Sequence, residues 1–153
     1  MGSLEMRFLN SRERKHFFAA LKEQYGYEGS TEYLVFENGQ NKFYLLNQSA
    51  AVIDWDGVRP KHAGLYVANQ MHEELRLTMD GAQLLSNDCS HEKIVLTGEQ
   101  QEQWMRGEDV ATEQEDTPFS IVMCGEDVLG CGKIKDGYLL NYVPKGRWIL
   151  DPH

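Results

Sequence analysis

Residues 129–147 read LGCGKIKDGYLLNYVPKGR, and the fold prediction for the second half of the chain starts from this stretch. Two apolar runs flank Asp136-Gly137, a dipeptide that tolerates the positive φ angles of a tight β-turn. The pattern therefore predicts a hairpin in which Val128–Lys135 pairs with Tyr138–Tyr142. Pro144 has no backbone N–H to donate, so the second strand is expected to end at Pro144-Lys145-Gly146.

Further short apolar runs in this half predict more strands and a helix. The predicted strands are Gly64–Val67, Leu75–Thr78 and Phe119–Met123, and Lys93–Leu96 is a brief apolar run. A short helix over Asp80–Leu85 would bury Ala82, Leu84 and Leu85. Many short strands with few short helices favour a small, barrel-like α+β domain over alternating βαβ units.

A second helix in this half is predicted over Thr97–Arg106. Thr97 is suited to the N-cap, Gln100 completes a capping box three positions later, and Gly107 ends the helix. The next segment, Glu108–Thr117, is rich in carboxylates, which predicts an acidic, solvated loop.

The first half of the chain begins with a predicted helix over Asn10–Tyr25. Asn10 and Glu13 have the spacing of a capping box, and Gly26 is suited to stop the helix. Apolar side chains recur every four residues and form one face, which consists of Phe17, Leu21 and Tyr25.

A hairpin is predicted after this helix, because Tyr33–Phe36 and Phe43–Leu46 flank the turn-forming pair Asn38-Gly39. A short apolar segment, Ala50–Ile53, and a turn at Asp54–Gly57 follow. We place a boundary there. The chain is then a small N-terminal α/β module at residues 6–57 followed by the barrel-like domain at residues 58–153.

Charge is distributed unevenly along the 153 residues, whose formal net charge is −9. Residues 98–127 carry nine acidic side chains and one basic side chain, a net charge of −8. Residues 128–150 have a net charge of +3, and residues 10–25 have +2. The overall charge argues against a protein that coats nucleic acid non-specifically, whereas the distribution allows a local basic surface.

The sequence holds no pattern for catalysis or for a metal site. Cys89, Cys124 and Cys131 lack the spacing of a disulfide framework or a zinc site. Asp54 and Asp56 begin like a calcium loop, but the later ligands are missing. No phosphate-binding loop, nucleophile elbow or HExxH motif is present. We therefore expect no enzyme activity, no cofactor and no bound metal.

Apolar runs in this chain stay well below the roughly 18 residues that a membrane-spanning helix needs. The N-terminus also lacks the apolar region of a secretory signal. Since three sparse cysteines fit a reducing compartment, we expect a cytoplasmic protein without a membrane partner.

The densest basic cluster in the chain surrounds Gly130-Cys131-Gly132, and its four cations are Lys133, Lys135, Lys145 and Arg147. Glycine weakens a strand unless something must approach the backbone closely. Either a nucleotide lies against this bare backbone with its phosphates near the cations, or the glycines mark a bulge. The interleaved aromatic residues are Tyr138, Tyr142 and Trp148. They could stack on bases, although core packing is the commoner role.

Three segments, in chain order, resemble the C-terminal PUA-like domain of the Sun (Fmu) family of RNA cytosine-5 methyltransferases. The first, Gly64–Leu85, combines a glycine-led strand, a basic strand with Arg76 and an apolar helix. The second, Leu96–Glu108, is a helix that ends in an Arg-Gly-Glu turn. The third is the most specific, with Gly-Cys-Gly-Lys at 130–133 and the ending Asn-Tyr-Val-Pro-Lys-Gly-Arg at 141–147.

The resemblance implies that the second domain is a PUA-like pseudo-barrel of short mixed strands with two short helices. It covers no part of that family's catalytic domain, so it implies RNA recognition without methyl transfer. Together with the residue patterns, it points to a set of RNA-contacting residues. They are Lys61, His62, Gly64, Arg76, Gly130, Gly132, Lys133, Lys135, Asn141, Lys145 and Arg147.

The expected function is therefore non-catalytic binding of structured rRNA or tRNA, in ribosome biogenesis or RNA modification. A ribosome-assembly or RNA-modification protein would be a further partner, and no DNA partner is expected. Two alternatives stay open. The acidic segment could make the chain a protein-interaction module, or the chain could be an accessory subunit that brings RNA to a separately encoded methyltransferase.

Overall fold

The computed structural model describes residues 6–39, 41–47 and 64–149, which form three helices and two five-stranded sheets. The helices are α1 (Ser11–Tyr25), α2 (Met79–Leu85) and α3 (Gly98–Met105), and 3-10 helices cover Ser86–Asp88 and Lys145–Arg147. The first sheet has the order β1-β2-β3-β4-β5, with strands β1 (Arg7–Phe8), β2 (Leu34–Asn38), β3 (Lys42–Leu46), β4 (Leu65–Met71) and β5 (Glu74–Leu77). The second has the order β6-β8-β9-β10-β7, with strands β6 (Ile94–Val95), β7 (Val110–Ala111), β8 (Ser120–Cys124), β9 (Asp127–Lys135) and β10 (Tyr138–Leu140). The predicted α+β class is confirmed.

Helix α1 forms where its capping signals predict it. The Glu13 N–H donates to Asn10 Oδ1 at 2.8 Å, and the Asn10 N–H donates to Glu13 Oε1 at 3.0 Å. Gly26 ends the helix with a φ of 73°, a conformation that glycine adopts at little cost. The face that α1 buries against the first sheet consists of Phe17, Phe18, Leu21 and Tyr25.

The predicted first hairpin is present, since β2 and β3 pair antiparallel from Leu34 opposite Leu46. The positive φ of its turn falls on Asn41, at 62°, whereas Asn38 is the last residue of β2. The predicted segments 50–53 and 54–57, and the boundary between residues 57 and 58, lie outside the described residues. Strands β4 and β5, which follow that boundary, continue the first sheet by pairing with β3 and with each other.

The second predicted hairpin is present, but its second strand ends at Leu140 and not at Tyr142, because the Asn141 N–H donates to Asp109 Oδ1. Strands β9 and β10 pair antiparallel, and the turn residues Asp136 and Gly137 have φ angles of 51° and 85°. Next to β8, strand β9 contains a bulge, because Gly130 lies opposite Val122 while Val128 lies opposite Met123. The extra residue lies between them, and Gly130 has a φ of 144°, which only glycine adopts without strain.

Two further predictions for this half, on the buried face of α2 and on the acidic segment, were wrong in part. Helix α2 buries Ala82 and Leu85 as predicted, but Leu84 is 40% exposed because it lies on the opposite side of the helix. The acidic segment after α3 is not entirely a solvated loop. Val110 and Ala111 form β7, which pairs with β10, and Val110 is buried beside the side chains that surround Trp104.

Apolar side chains form two clusters, one for each sheet. The first lies between α1 and the core-facing side of the first sheet, and it includes Ile121 and Cys131 from the second sheet. The second surrounds Trp104 of α3, whose side chain is completely buried against the second sheet.

Side chains of α1 bridge the two sheets, which do not close into one barrel. Gln24 accepts the Leu75 N–H at 2.8 Å and donates to the carbonyls of Leu75 and Phe119 at 2.8 and 3.3 Å. Tyr25 donates its hydroxyl to the same Leu75 carbonyl and lies 3.4 Å from Cys131 Sγ. The edge of β5 is therefore occupied by side chains, and a closed PUA-like pseudo-barrel is not confirmed.

Replacement of Gln24 by alanine should destabilise the fold, because it leaves the Leu75 N–H and the Phe119 carbonyl without their partner at a part-buried junction. We expect the free energy of unfolding in urea to fall by about 1–3 kcal/mol. Glu23→Ala is the matched control, since Glu23 is the exposed neighbour in the same helix. Equal stabilities of the two variants would contradict the junction role.

Candidate nucleic-acid interface

The predicted RNA-contacting residues are divided among three places on the described structure. Lys61 and His62 lie outside the described residues. Arg76 and Lys133 lie at the junction of the two sheets, Lys135 lies at the tip of the second hairpin, and Lys145 and Arg147 lie on the C-terminal 3-10 helix. The glycines and Asn141 are packed into the structure between these places.

At the sheet junction, Lys133 is held by β5 and by an aromatic ring. Its Nζ lies 2.9 Å from Glu74 Oε2 and 4.6 Å from the centre of the Phe119 ring. Glu74 also accepts the Phe119 N–H at 2.8 Å. Burial would raise the pKa of Glu74, but the Phe119 N–H and the Lys133 charge outweigh it and lower the pKa. This ion pair therefore joins the two sheets.

Arg76 also lies at this junction, where it contacts an aromatic ring. Its guanidinium carbon lies 5.5 Å from the centre of the Tyr142 ring, and that ring packs edge-to-face on Phe119 with 5.0 Å between centres. Among the described residues, the buried Arg76 Nε has no hydrogen-bond partner. Two adjacent rings thus lie between two cations, in the order Arg76, Tyr142, Phe119 and Lys133.

The tip of the second hairpin presents a cation beside an aromatic ring. Lys135 is exposed, and its cross-strand partner Tyr138 is 51% exposed. The acidic segment approaches from one side, since the Asp136 N–H donates to Asp116 Oδ1 at 2.9 Å. A lysine with an exposed tyrosine can contact a phosphate and a stacked base.

The C-terminal 3-10 helix brings Lys145 and Arg147 together at one corner of the domain. Arg147 Nη2 lies 3.6 Å from Asp80 Oδ1 of α2, and the two side chains are 47% and 46% exposed. The Nζ of Lys145 lies 6.0 Å from the centre of the Trp148 ring. Both cations are accessible to solvent, and the ion pair is of the weak, exposed kind.

Trp148 anchors this corner to the end of α3. Its indole N–H donates to the Val143 carbonyl at 2.8 Å, and the Ile149 N–H donates to the Met105 carbonyl at 2.6 Å. A Cβ on Gly107, whose φ is 90°, would lie 2.2 Å from the Trp148 ring. The Arg-Gly-Glu turn therefore needs its glycine to let the tryptophan pack.

Asn141 supports the same corner from inside. Its amide donates to the carbonyls of Trp104 at 2.7 Å and Glu108 at 2.8 Å, and its Oδ1 accepts the Val143 N–H at 2.9 Å. With both amide ends engaged, the side chain ties the end of β10 to α3 and fixes the start of the C-terminal segment.

The glycines of the predicted site are packing positions. Gly130 and Gly132 are buried, and a Cβ on Gly132 would lie 2.7 Å from Trp104 Cη2. Their strand β9 is paired on both sides, with β8 and with β10. A Cβ on Gly64 would lie 2.6 Å from the Phe36 ring. Of the two interpretations of the glycine pair, the bulge accounts for Gly130.

No arrangement in the described ranges resembles a metal site, since no group of three or more His, Cys, Asp or Glu side chains could hold an ion there. Burial raises the pKa of Cys89 and of Cys131 to about 11, so both thiols are protonated at neutral pH. No helix in the described part of the chain is long and apolar enough to cross a membrane.

Sequence reasoning missed Glu74, Phe119 and Asp80, which are the partners of the predicted cations. Glu74 lies 59 positions before Lys133 in the chain, and Asp80 is similarly distant from Arg147. No local pattern could have paired them, because the pairs form only when α2 and β5 come to lie against the second sheet.

We expect Gly132→Ala to destabilise the fold by about 1–3 kcal/mol, because the added Cβ would press against the buried Trp104 ring. Gly146→Ala is the matched control, since a Cβ there has nothing within 4 Å. Urea unfolding measures both. Equal stabilities combined with weaker RNA binding by Gly132→Ala would overturn the packing role.

Comparison with protein families identifies residues 91–149 as a match to the family described as the Methyltransferase RsmF PUA domain. The match spans the whole second sheet, α3 and the C-terminal 3-10 helix, and it leaves out the first sheet. No curated protein matches the chain. The resemblance to a PUA-like domain of RNA methyltransferases is thus confirmed over residues 91–149.

Proposed function

We propose that this chain is a non-catalytic RNA-binding protein that recognises structured rRNA or tRNA, in ribosome biogenesis or in RNA modification. The observation that carries the proposal is the match of residues 91–149 to a methyltransferase PUA domain, since such a domain is an RNA-binding module. The solvent-accessible cations of the matched segment supply the chemistry, because phosphate contacts give most of the affinity for RNA.

The C-terminal corner is the first surface that we assign to RNA. Lys145 and Arg147 are exposed, and Trp148 holds their backbone against α3. A phosphate can replace Asp80 as the partner of Arg147, because an exposed pair 3.6 Å apart contributes little stability. A planar guanidinium also matches phosphate in a two-point contact.

Lys135 and Tyr138 at the hairpin tip are the second contact within this segment, and they offer a charge and a ring to one nucleotide. Arg76 and Lys133 contribute mainly by holding the two sheets together, since Lys133 is already paired with Glu74. Lys61 and His62, which precede β4, complete the set that we assign to RNA.

A second candidate function has one observation in its favour. The four residues 113–116 are exposed and include Glu113, Glu115 and Asp116, so they form an accessible acidic strip. A basic ribosomal protein or a separately encoded methyltransferase could dock there. Capture of such a protein that survives nuclease treatment and depends on this strip would favour the protein-interaction role.

The RNA-binding proposal is tested by fluorescence anisotropy with labelled, structured rRNA and tRNA fragments across a series of salt concentrations. We expect saturable binding that weakens as salt rises, because bound phosphates release counterions. Lys145→Glu/Arg147→Glu should weaken it further and lower the salt slope by about one unit for each phosphate that the variant no longer binds.

The control for this experiment is Arg12→Glu, which reverses an exposed cation of α1, outside the segment that matches the PUA family. It should leave the affinity nearly unchanged. Unaltered affinity and salt slope in Lys145→Glu/Arg147→Glu, with the fold verified by circular dichroism, would remove the C-terminal corner from the site.

A further inference from the structure

A groove of 610 Å³ runs along α1, between the helix and the segment that follows it. Its helix wall carries Arg14, Lys15 and Lys22, and the opposite wall is formed by residues 27–31. The groove lies entirely in the first 31 residues, so it is outside the segment that matches the PUA family. The groove is also separate from the RNA contacts proposed above, which lie in residues 135–147.

The helical repeat brings these cations onto the groove side of α1. Lys15 and Lys22 are seven positions apart, which is close to two turns, so they lie about 10 Å apart along the helix axis. Ser11 and Phe18, which also line the groove, fall on the same stripe. The groove therefore has a line of positive charge along its length.

The described structure gives Arg14, Lys15 and Lys22 no carboxylate within ion-pair distance. By contrast, four basic residues elsewhere in the described structure each face a carboxylate: Arg7, Arg106, Lys133 and Arg147. One carboxylate, Glu28, lies on the groove wall against three cations. In a chain of net charge −9, the groove is a local region of positive charge, which complements a polyanion.

The wall opposite the helix is fixed by contacts with α1, by a contact within the wall and by contacts with the second half of the chain. Tyr27 stacks on Phe18 with 6.1 Å between ring centres, and its hydroxyl donates to the Ser30 carbonyl at 2.6 Å. The Glu28 N–H donates to the Asp88 carbonyl at 2.8 Å. A Cβ on Gly29 would lie 2.6 Å from Asp88 Oδ2. The groove is therefore formed before any ligand arrives, which lowers the entropic cost of binding.

The lining also limits what kind of contact the groove can make. The rings of Phe18 and Tyr27 are buried, with 6% and 4% exposure, so neither offers a face for stacking a base. What remains accessible is the ammonium and guanidinium groups of the helix. Such a surface holds phosphates and does not read sequence.

We propose that this groove is a second RNA-contact site, which holds the sugar–phosphate backbone of an RNA whose structured part lies on residues 135–147. The inference rests on the proposed RNA-binding function and deepens it. The chain then binds RNA at two separate places, one in the α1 groove and one on residues 135–147. Binding at the groove depends on charge and is independent of sequence.

The test compares two variants of α1 that change the net charge by the same amount. Lys15→Gln/Lys22→Gln removes two cations from the groove, whereas Arg12→Glu makes an equal change of charge on a neighbouring face of the helix, which lines a different groove. Anisotropy is measured with a structured RNA that carries a single-stranded extension, over a salt series. We expect the groove variant to lower the salt slope by about 1.4–1.8, because each of the two lysines neutralises one phosphate at about 0.7–0.9 of slope. The decrease should be the same for extensions of different sequence.

Each other outcome overturns the groove assignment in a distinguishable way. If the groove variant keeps its salt slope while Lys145→Glu/Arg147→Glu binds more weakly, the groove is not a contact site and the proposed function stands. If the unaltered chain binds no RNA, both proposals fail. An equal decrease in Arg12→Glu would show an effect of helix charge and not of the groove. If the groove variant binds RNA normally but no longer binds polyglutamate, the groove belongs to an acidic protein partner.

Discussion

The side-chain amide of Gln24 is the interaction on which the arrangement of the two sheets depends. It occupies the N–H and the carbonyl of Leu75 as a neighbouring strand would, and it also reaches the Phe119 carbonyl in the second sheet. Tyr25 and Glu74 reinforce the same junction through Leu75, Phe119 and Lys133. Because these contacts come from side chains, the sheets keep separate strand orders, although the first core cluster takes in Ile121 and Cys131 of the second sheet. The row of cations and rings lies at this junction.

Local signals in the sequence predicted most of the elements correctly. The capping boxes at Asn10 and Thr97, and the turn at Asp136-Gly137, each involve residues within four positions of one another, so their geometry is decided by short-range sterics and hydrogen bonds. The predictions that were wrong depend instead on contacts between elements that are far apart in the sequence. Val110 entered a strand because β10 lies beside it, and which side of α2 faces inward was decided by β4 and β9. Such outcomes depend on tertiary packing, which overrides a charge-rich or apolar pattern in one segment.

In the candidate site, the composition predicted which segments are basic, but it did not predict which cations face carboxylates. Counting charges gave residues 128–150 a net +3, yet Lys133 and Arg147 face carboxylates from α2 and β5 that lie far away in sequence. The α1 groove brings Arg14, Lys15 and Lys22 together, where the sequence showed only a net +2. The glycine spacing predicted an unusual backbone at Gly130 and Gly132. It did not predict that Met79 and Trp104 would occupy the space beside these glycines. The match of residues 91–149 to a PUA family therefore supports RNA binding, and the proposed location rests on the accessible cations.

The occupied edge of β5 has a consequence for how the chain behaves at high concentration. An open strand edge invites pairing with another copy, which leads to strand exchange and aggregation. Here the Leu75 N–H and carbonyl are already satisfied, and Glu74 next to them brings a charge that an incoming strand would have to displace. The residues that join the sheets thus also block strand addition at this edge. A second copy of the chain would have to displace these side chains before it could add a strand at β5.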